Sequence, residues 1–487
     1  MTHDVVLAGG RVVDPESGSD RVCDVGIDGG SVTALDEHLD GRTTIDVSGL
    51  VVAPGFVDVH SHAQTLPGRR LQACDGVTTA LDLEAGRTPV EHAYQREATR
   101  GSPINYGFSA SWAAARMHVL ADGLLDGSAI AVFGGLVGAD WQRAATLSQV
   151  GRILELLADD LAAGAIGVGL LVGYAPGVDP AEYVAVAELA ATVGVPTFTH
   201  SRDIVELAPE TLIDGAEEIV RAAGETGAHM HYCHINSTSS RHIDRVLGLV
   251  GRCQAEGAHV TTEAYPYGSG STAIGAAFLA PERLRERFRD TTSITYLRTG
   301  ERIASDDRLR ELRATDPGGL VIAEFLDEAD PNDAALLRRS LSFPDAIAAS
   351  DAMPPMWTGA GRPDLTAWPL PPEAVVHPRT AGTFGRALRL WREEGALPAE
   401  ALRRATLLPA QLLEGSVPAM RRKGRVQVGS DADIVVFDAA TVTDQATYLA
   451  STRPSSGIAH VLVDGTFVVR GGHLVEDALP GRPIRAG

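Results

Sequence analysis

Between residues 150 and 265 the chain repeats one pattern, a stretch of helical periodicity followed by a short apolar run. Residues 150–163 lead into 166–172, 180–193 into 195–200, 212–226 into 228–234, and 240–256 into 258–265. Strands alternating with helices predict an α/β fold with a parallel sheet, and the number of repeats favours a closed (β/α)8 TIM barrel over an open sheet. In such barrels the chemistry sits at the C-terminal ends of the strands.

The two ends of the chain read differently. Residues 4–7, 11–14, 24–27 and 31–35 are short β-like runs broken by Gly9-Gly10, Ser17-Gly18 and Gly29-Gly30, which predicts a small antiparallel sheet. A matching pattern returns at 429–438 and 460–465. The expected organisation is one composite β-sandwich, built from residues 1–55 and 416–487, around a metal-dependent barrel at 56–415. Residues 281–320, rich in Arg, Asp and Glu, interrupt the rhythm before the next apolar run at 346–349. They read as an insertion over the barrel mouth, with a solvated charged linker as the plainer alternative.

Composition narrows the class of function. A formal net charge of -21 with no basic stripe repels a phosphate backbone, so no nucleic-acid partner is expected. No apolar run is long enough to span a bilayer, and residues 1–7 lack the basic start and apolar stretch of a signal peptide, so no membrane partner and a cytoplasmic location are expected. Cys23, Cys74, Cys233 and Cys253 form no Cys-x-x-Cys pair and are expected as free buried thiols.

Pro54-Gly55-Phe56-Val57-Asp58-Val59-His60-Ser61-His62 is an apolar run ending in two histidines two positions apart. Strand side chains alternate between faces, so His60 and His62 point the same way. Three further strand ends carry His200, His234 and Asp351. Borderline-soft zinc takes imidazole and carboxylate ligands, and catalytic sites leave a position for water, so the set predicts a one- or two-metal hydrolase. Two metals need a bridging ligand. A common bridge in barrels of this class is a carbamylated lysine, but the single lysine, Lys423, lies in the C-terminal β-region. Glu84, closing the strand-like run 76–84, is the leading candidate. Asp82 on the same strand face is a weaker one, and Cys74 precedes the strand, at the wrong end of the barrel.

These ordered motifs resemble the amidohydrolase superfamily, in its branch of N-acyl-D-amino-acid deacylases and D-glutamate-deacylase-like proteins. The likeness runs nearly end to end, through 54–62, 76–84, 164–169, 199–202, His234-Ile235-Asn236, Tyr265-Pro266-Tyr267, Ser350-Asp351, His377-Pro378-Arg379 and 429–438. The resemblance implies that His200 and His234 hold a tightly bound zinc with a cysteine on the second strand. That cysteine is missing here, and Glu84 lies next to its place. It further implies a second, weaker metal at His60 and His62, and Asp351 as general base and acid. Arg379 would grip the substrate carboxylate, aided by Tyr174, Tyr265 and Ser271; read without the resemblance, Arg379 could equally form a surface salt bridge. A lysine that helps in some deacylases falls at Asn236.

The leading expectation is a Zn2+-dependent hydrolase, with one or two ions per subunit, that cleaves the exocyclic amide of an N-acyl-D-amino acid such as an acyl-D-glutamate. The metal would lower the pKa of a water and polarise the carbonyl, and Asp351 would pass the water's proton to the leaving amine. One alternative is a tailoring amidohydrolase that trims a peptide or modified peptide in natural-product biosynthesis. A cyclic-amide hydrolase ranks lower, because such relatives usually use the lysine bridge, and a catalytically inactive scaffold is the reading from another class. The expected partner is a small-molecule amide or peptide substrate. Barrels of this kind often self-associate, which makes a homo-oligomer compatible with the sequence.

Overall fold

A computed structural model describes residues 2–287, 290–358, 364–396 and 398–487. Eight parallel strands follow one another in space as they do in the chain: β1 (Phe56–Asp58), β2 (Val77–Arg87), β3 (Asn105–Ser111), β4 (Val168–Leu171), β5 (Thr197–His200), β6 (Met230–Tyr232), β7 (Val260–Ala264) and β8 (Ile347–Ala348). The ring closes just beyond the last strand, where Ser61 bridges Ala352 in parallel and the His62 N–H donates to the Ala352 carbonyl at 2.8 Å. The interior is filled by inward residues of several strands, among them Val57, Leu81, Leu83, Phe198, Cys233 and Ile347. Every Cys is free, and Cys23, Cys74 and Cys233 are buried.

The helices start and stop where capping chemistry tells them to. Pro180–Val193 begins after Asp179, whose carboxylate accepts from the Ala181 N–H, and ends at Gly194 with φ 79°, as the periodicity predicts. The helix expected from residue 212 begins only at Gly215, because the Asp214 carboxylate accepts from the Ala216 and Glu217 N–H groups. Ser240–His242 is a 3-10 turn, and the helix expected there starts at Ile243.

The predicted β-runs at 4–7 and 11–14 are one strand, Thr2–Asp14, with a shift of register between Leu7 and Gly10. It pairs antiparallel with Ser19–Asp28 but parallel with Asp40–Asp46 and Val51–Pro54, so the sheet is mixed where an antiparallel one was expected. The break at Gly9-Gly10 explains this: the first half of the strand takes one parallel partner and the second half another. Val51–Pro54 pairs with Ile434–Phe437, which joins both chain ends in a single nine-stranded sheet around Val12, Val25, Val52 and Ile434.

The segment 281–320 carries Ile294–Tyr296, Glu301–Arg302 and the helix Asp306–Thr315. Its strands do not stand alone. Ile294–Tyr296 pairs with Leu320–Glu324, which pairs in turn with Ser269–Ala273, so the small sheet draws in chain from both sides of the insertion. Among the described residues, no helix is long and apolar enough to cross a membrane.

Candidate metal centre and substrate cavity

The barrel brings His60, His62, Glu84, His200, His234 and Asp351 to one place, all of them buried. Glu84 ends up between two histidine pairs. Its Oε1 lies 3.1 Å from His200 Nδ1 and 2.7 Å from His234 Nε2, while Oε2 lies 3.3 Å from His60 Nε2 and 3.4 Å from His62 Nε2. Asp351 Oδ1 approaches the same two nitrogens at 3.5 and 3.6 Å. His234 and Asp351 both adopt left-handed backbone conformations, φ 31° and 50°, which non-glycine residues hold only where the surroundings enforce them.

A second set of carboxylates orients the imidazoles. Glu263 on β7 accepts from His60 Nδ1 and also contacts His231 Nε2 at 3.1 Å, while Asp82 accepts from His62 Nδ1 at 3.0 Å. The Nε2 atoms of His60 and His62 face each other across 3.1 Å. Two nitrogens that close to each other and to the Glu84 and Asp351 oxygens call for a cation between or beside them, a proton or a metal ion. The donor set therefore fits a divalent ion of the borderline class, and the outer carboxylates are the orienting partners that metal-binding histidines ordinarily have.

The electrostatics point the same way. Burial opposes charge on His62, but Asp82 and Glu84 outweigh it and push its pKa up to about 9. Against the same burial, Glu263, Glu84 and Asp351 take His60 well above its usual value. Burial would raise Glu84, yet His60, His234 and His200 hold it well below the carboxylate range. This cage stabilises positive charge, which a metal ion can supply in place of protons.

A cavity opens above the cluster, floored by His62, Glu84, His200, His234 and Asp351, with Tyr174, Tyr265, Ser271 and Arg379 among its walls. Arg379 is 1% exposed, so it is no surface salt bridge. Its guanidinium lies over the Tyr265 ring at 4.8 Å, its Nη2 donates to the Ser271 carbonyl at 3.3 Å, and Nη1 is 2.8 Å from Asp351 Oδ2. That last contact is an ion pair without hydrogen-bond alignment, which leaves Nε and Nη1 as buried donors lacking an acceptor; Ser271 Oγ is likewise unpartnered. Asn236 is not where the sequence put it. Its amide donates to the carbonyls of Tyr265 and Tyr267, which places it behind Tyr265 rather than in the cavity wall.

Asp82, the weaker bridge candidate, faces away toward His62 Nδ1 and Arg87 Nη2, the latter at 2.5 Å. Cys74 closes the helix Leu66–Cys74 and packs with Phe56 and Phe384, away from the cluster. Lys423 is held by Asp431 and Asp433 at 3.0 and 2.6 Å. Sequence reasoning missed Glu263, whose signal was a lone carboxylate inside the apolar run 258–265. It also missed Asp58, which ties β1 to β8 by accepting from the Ser350 N–H at 3.0 Å.

Comparison with known proteins places these features in context. A model of the amidohydrolase family matches residues 43–124. The chain is 29% identical to the N-acyl-D-glutamate deacylase of Alcaligenes xylosoxydans xylosoxydans, over 96% of this chain and 93% of that one. It is 28% identical to the D-aminoacylase of the same organism, over 95% and 93%. Among solved structures, a D-aminoacylase superposes with a TM-score of 0.76 at 24% identity, covering 99% of this chain and all (100%) of that one. An N-acyl-D-glutamate deacylase from Bordetella bronchiseptica, solved with zinc and a phosphonate that mimics the tetrahedral intermediate, superposes with a TM-score of 0.77 at 24% identity, covering 100% of both chains. These superpositions establish the barrel with its accompanying β-domain.

Proposed function

We propose that this chain, a member of the amidohydrolase superfamily and a metal-dependent hydrolase of carbon–nitrogen bonds, removes the acyl group from N-acyl-D-amino acids. The observation that carries the reading is the pairing of an anionic histidine cage with a buried, under-satisfied guanidinium at Arg379. The first suits an activated water and a polarised amide carbonyl; the second suits the free carboxylate of the amino acid being released. The relatives' activities, and the zinc in one of their structures, agree with this assignment.

Zinc is the proposed ion; His200 and His234 on one side of Glu84, and His60 and His62 on the other, would hold it. When bound, it supplies Lewis acidity to a water and to the scissile carbonyl. Asp351 receives the proton of the attacking water and delivers it to the leaving amine, since its carboxylate reaches both the cluster and the cavity. Arg379 aligns the substrate by a bidentate grip on its carboxylate, with Ser271 Oγ as a further donor and Tyr265 as the plane on which the guanidinium rests.

Amine release by metal-loaded protein from paired N-acyl-D- and N-acyl-L-amino acids tests the reading. Release is expected from the D series, with a loss of roughly 10²- to 10⁴-fold in Asp351→Asn. Equal release from the L series, or none from either by protein shown to contain metal, overturns it.

A further inference from the structure

The two ends of the histidine cluster are not equally supported from behind. At the His60 end a carboxylate backs each ring: Glu263 accepts from His60 Nδ1, and Asp82 accepts from His62 Nδ1 at 3.0 Å. At the other end, among the described residues, neither His200 nor His234 pairs with any carboxylate except Glu84, which both ends share. His234 Nδ1 meets an uncharged hydroxyl instead, Ser237 Oγ at 3.1 Å. A carboxylate behind an imidazole fixes the ring's orientation and makes its far nitrogen a stronger donor to a metal.

Glu263 carries most of this difference. Asp82 shares its charge with Arg87, whose Nη2 lies 2.5 Å from Oδ2. Glu263 is 1% exposed, and among the described residues no arginine or lysine pairs with it. Its other contacts are His231 Nε2 at 3.1 Å and the His234 N–H, which donates at 3.2 Å. His231 is held in turn through Nδ1, 2.9 Å from Thr261 Oγ1. A buried carboxylate without a permanent cation is costly, and positive charge on the far side of His60 relieves it.

The inner ligands are unequal in the same sense. Asp351 Oδ1 stands 3.5 and 3.6 Å from His60 and His62 Nε2, so their end offers a second carboxylate beside Glu84. The His200 end has a fixed cation nearby instead. Arg287 lines the cavity and rests on the Phe278 ring, whose centroid is 6.1 Å from that of His200. Arg379 offsets part of the charge of Asp351, and Asp203 part of that of Arg287, but Glu263 has no such offset.

We propose that the His60–His62 end is the high-affinity metal position, with Glu263 as the positioning residue that makes it so, and that the His200–His234 end fills second. The inference rests on the metal centre proposed above, and it reverses the order of affinity that the resemblance implies. The ion retained at low metal supply is then the one beside Asp351 Oδ1.

Metal-free wild-type protein given one equivalent of zinc, then crystallised and measured at the zinc absorption edge, locates the first ion directly. The anomalous peak is expected among His60, His62 and Glu84. A dominant peak among His200, His234 and Glu84, or equal peaks at both ends, overturns the inference and leaves the deacylase reading standing. A peak behind His60 also overturns it: His60, Cys233 and Glu263 offer ligand atoms within 4.8 Å of one another there, and Glu263 would then be a ligand. Folded protein that takes up no zinc at either end removes the metal centre, and the deacylase reading with it.

Competition for zinc against a chromophoric chelator in solution tests the part given to Glu263. Two binding steps separated by about tenfold or more are expected in wild type, and Glu263→Gln should weaken the first by about 10- to 100-fold while the second hardly moves. Loosening of the fold would weaken both steps alike, so equal weakening, or none, overturns the assignment. If Glu263→Gln does not accumulate as folded protein, His231→Asn, which withdraws the ring that orients Glu263, should weaken the first step selectively, and an unchanged first step counts against the inference in the same way.

Discussion

Glu84 is the residue on which the two histidine pairs meet, and its two oxygens divide between them. Glu84→Gln keeps the volume but removes the charge that, in the proposed site, would neutralise two cations, and a neutral amide oxygen would bridge them less well. Purified Glu84→Gln should carry less metal per chain by elemental analysis than wild type, with activity reduced at least about a hundredfold even when metal is supplied in excess. Wild-type metal content in the variant would show that Glu84 does not bridge. Much of this scale was legible beforehand: alternation along a strand put His60 with His62, and ordered strand ends supplied Glu84, His200, His234 and Asp351. Asp82, Glu263 and Arg287 were not legible as partners, because their roles depend on which ring nitrogen or which cavity wall they face.

At the scale of elements, the strand ends matter as much as the strands. Gly173, in the 3-10 turn Val172–Tyr174 after β4, has no room for a side chain: a Cβ there would stand 2.4 Å from His200 Cδ2 and 2.6 Å from the Ser201 carbonyl. Gly173→Ala must therefore displace His200 or the chain that follows it. The expected result is weaker metal retention during dialysis against chelator, with the far-ultraviolet spectrum unchanged. Retention equal to wild type would show that the turn yields without moving His200. The helices and strands of the barrel were predictable from their periods, and the errors fell at boundaries where a cap overrode periodicity, as Asp214 does at Gly215. The mixed pairing of Thr2–Asp14 escaped prediction because short runs with glycine turns look alike whether their neighbours run parallel or antiparallel.

For the molecule as a whole, the single lysine has a structural task. Lys423 is 5% exposed and donates to Asp431 and Asp433, and Asp433 also accepts from Asn105 Nδ2 on β3 at 2.8 Å and from the Asp464 N–H at 2.8 Å. This buried cluster pins the composite sheet to the barrel. Lys423→Met would strand a buried carboxylate without its cation, a change that typically costs about 3–5 kcal/mol. Urea unfolding should show that loss, while turnover per folded molecule stays near wild type because Lys423 makes no contact with the cavity. A stability change under about 1 kcal/mol would mean that water or the neighbouring amides compensate.

The sequence by itself determined the periodicities, and through them the barrel, the strand ends that face its mouth and the shared direction of His60 and His62, because alternation and helical repeat are local properties of the backbone. Only the tertiary structure decided which atoms meet. Glu84 with His234, His60 with Glu263 and Ser350 with Asp58 are contacts between residues 150, 203 and 292 positions apart. They exist because the ring closes, and closure is a property of the whole chain. The same closure turned Asn236 behind Tyr265 and brought Arg287, paired with Asp203, to the cavity wall.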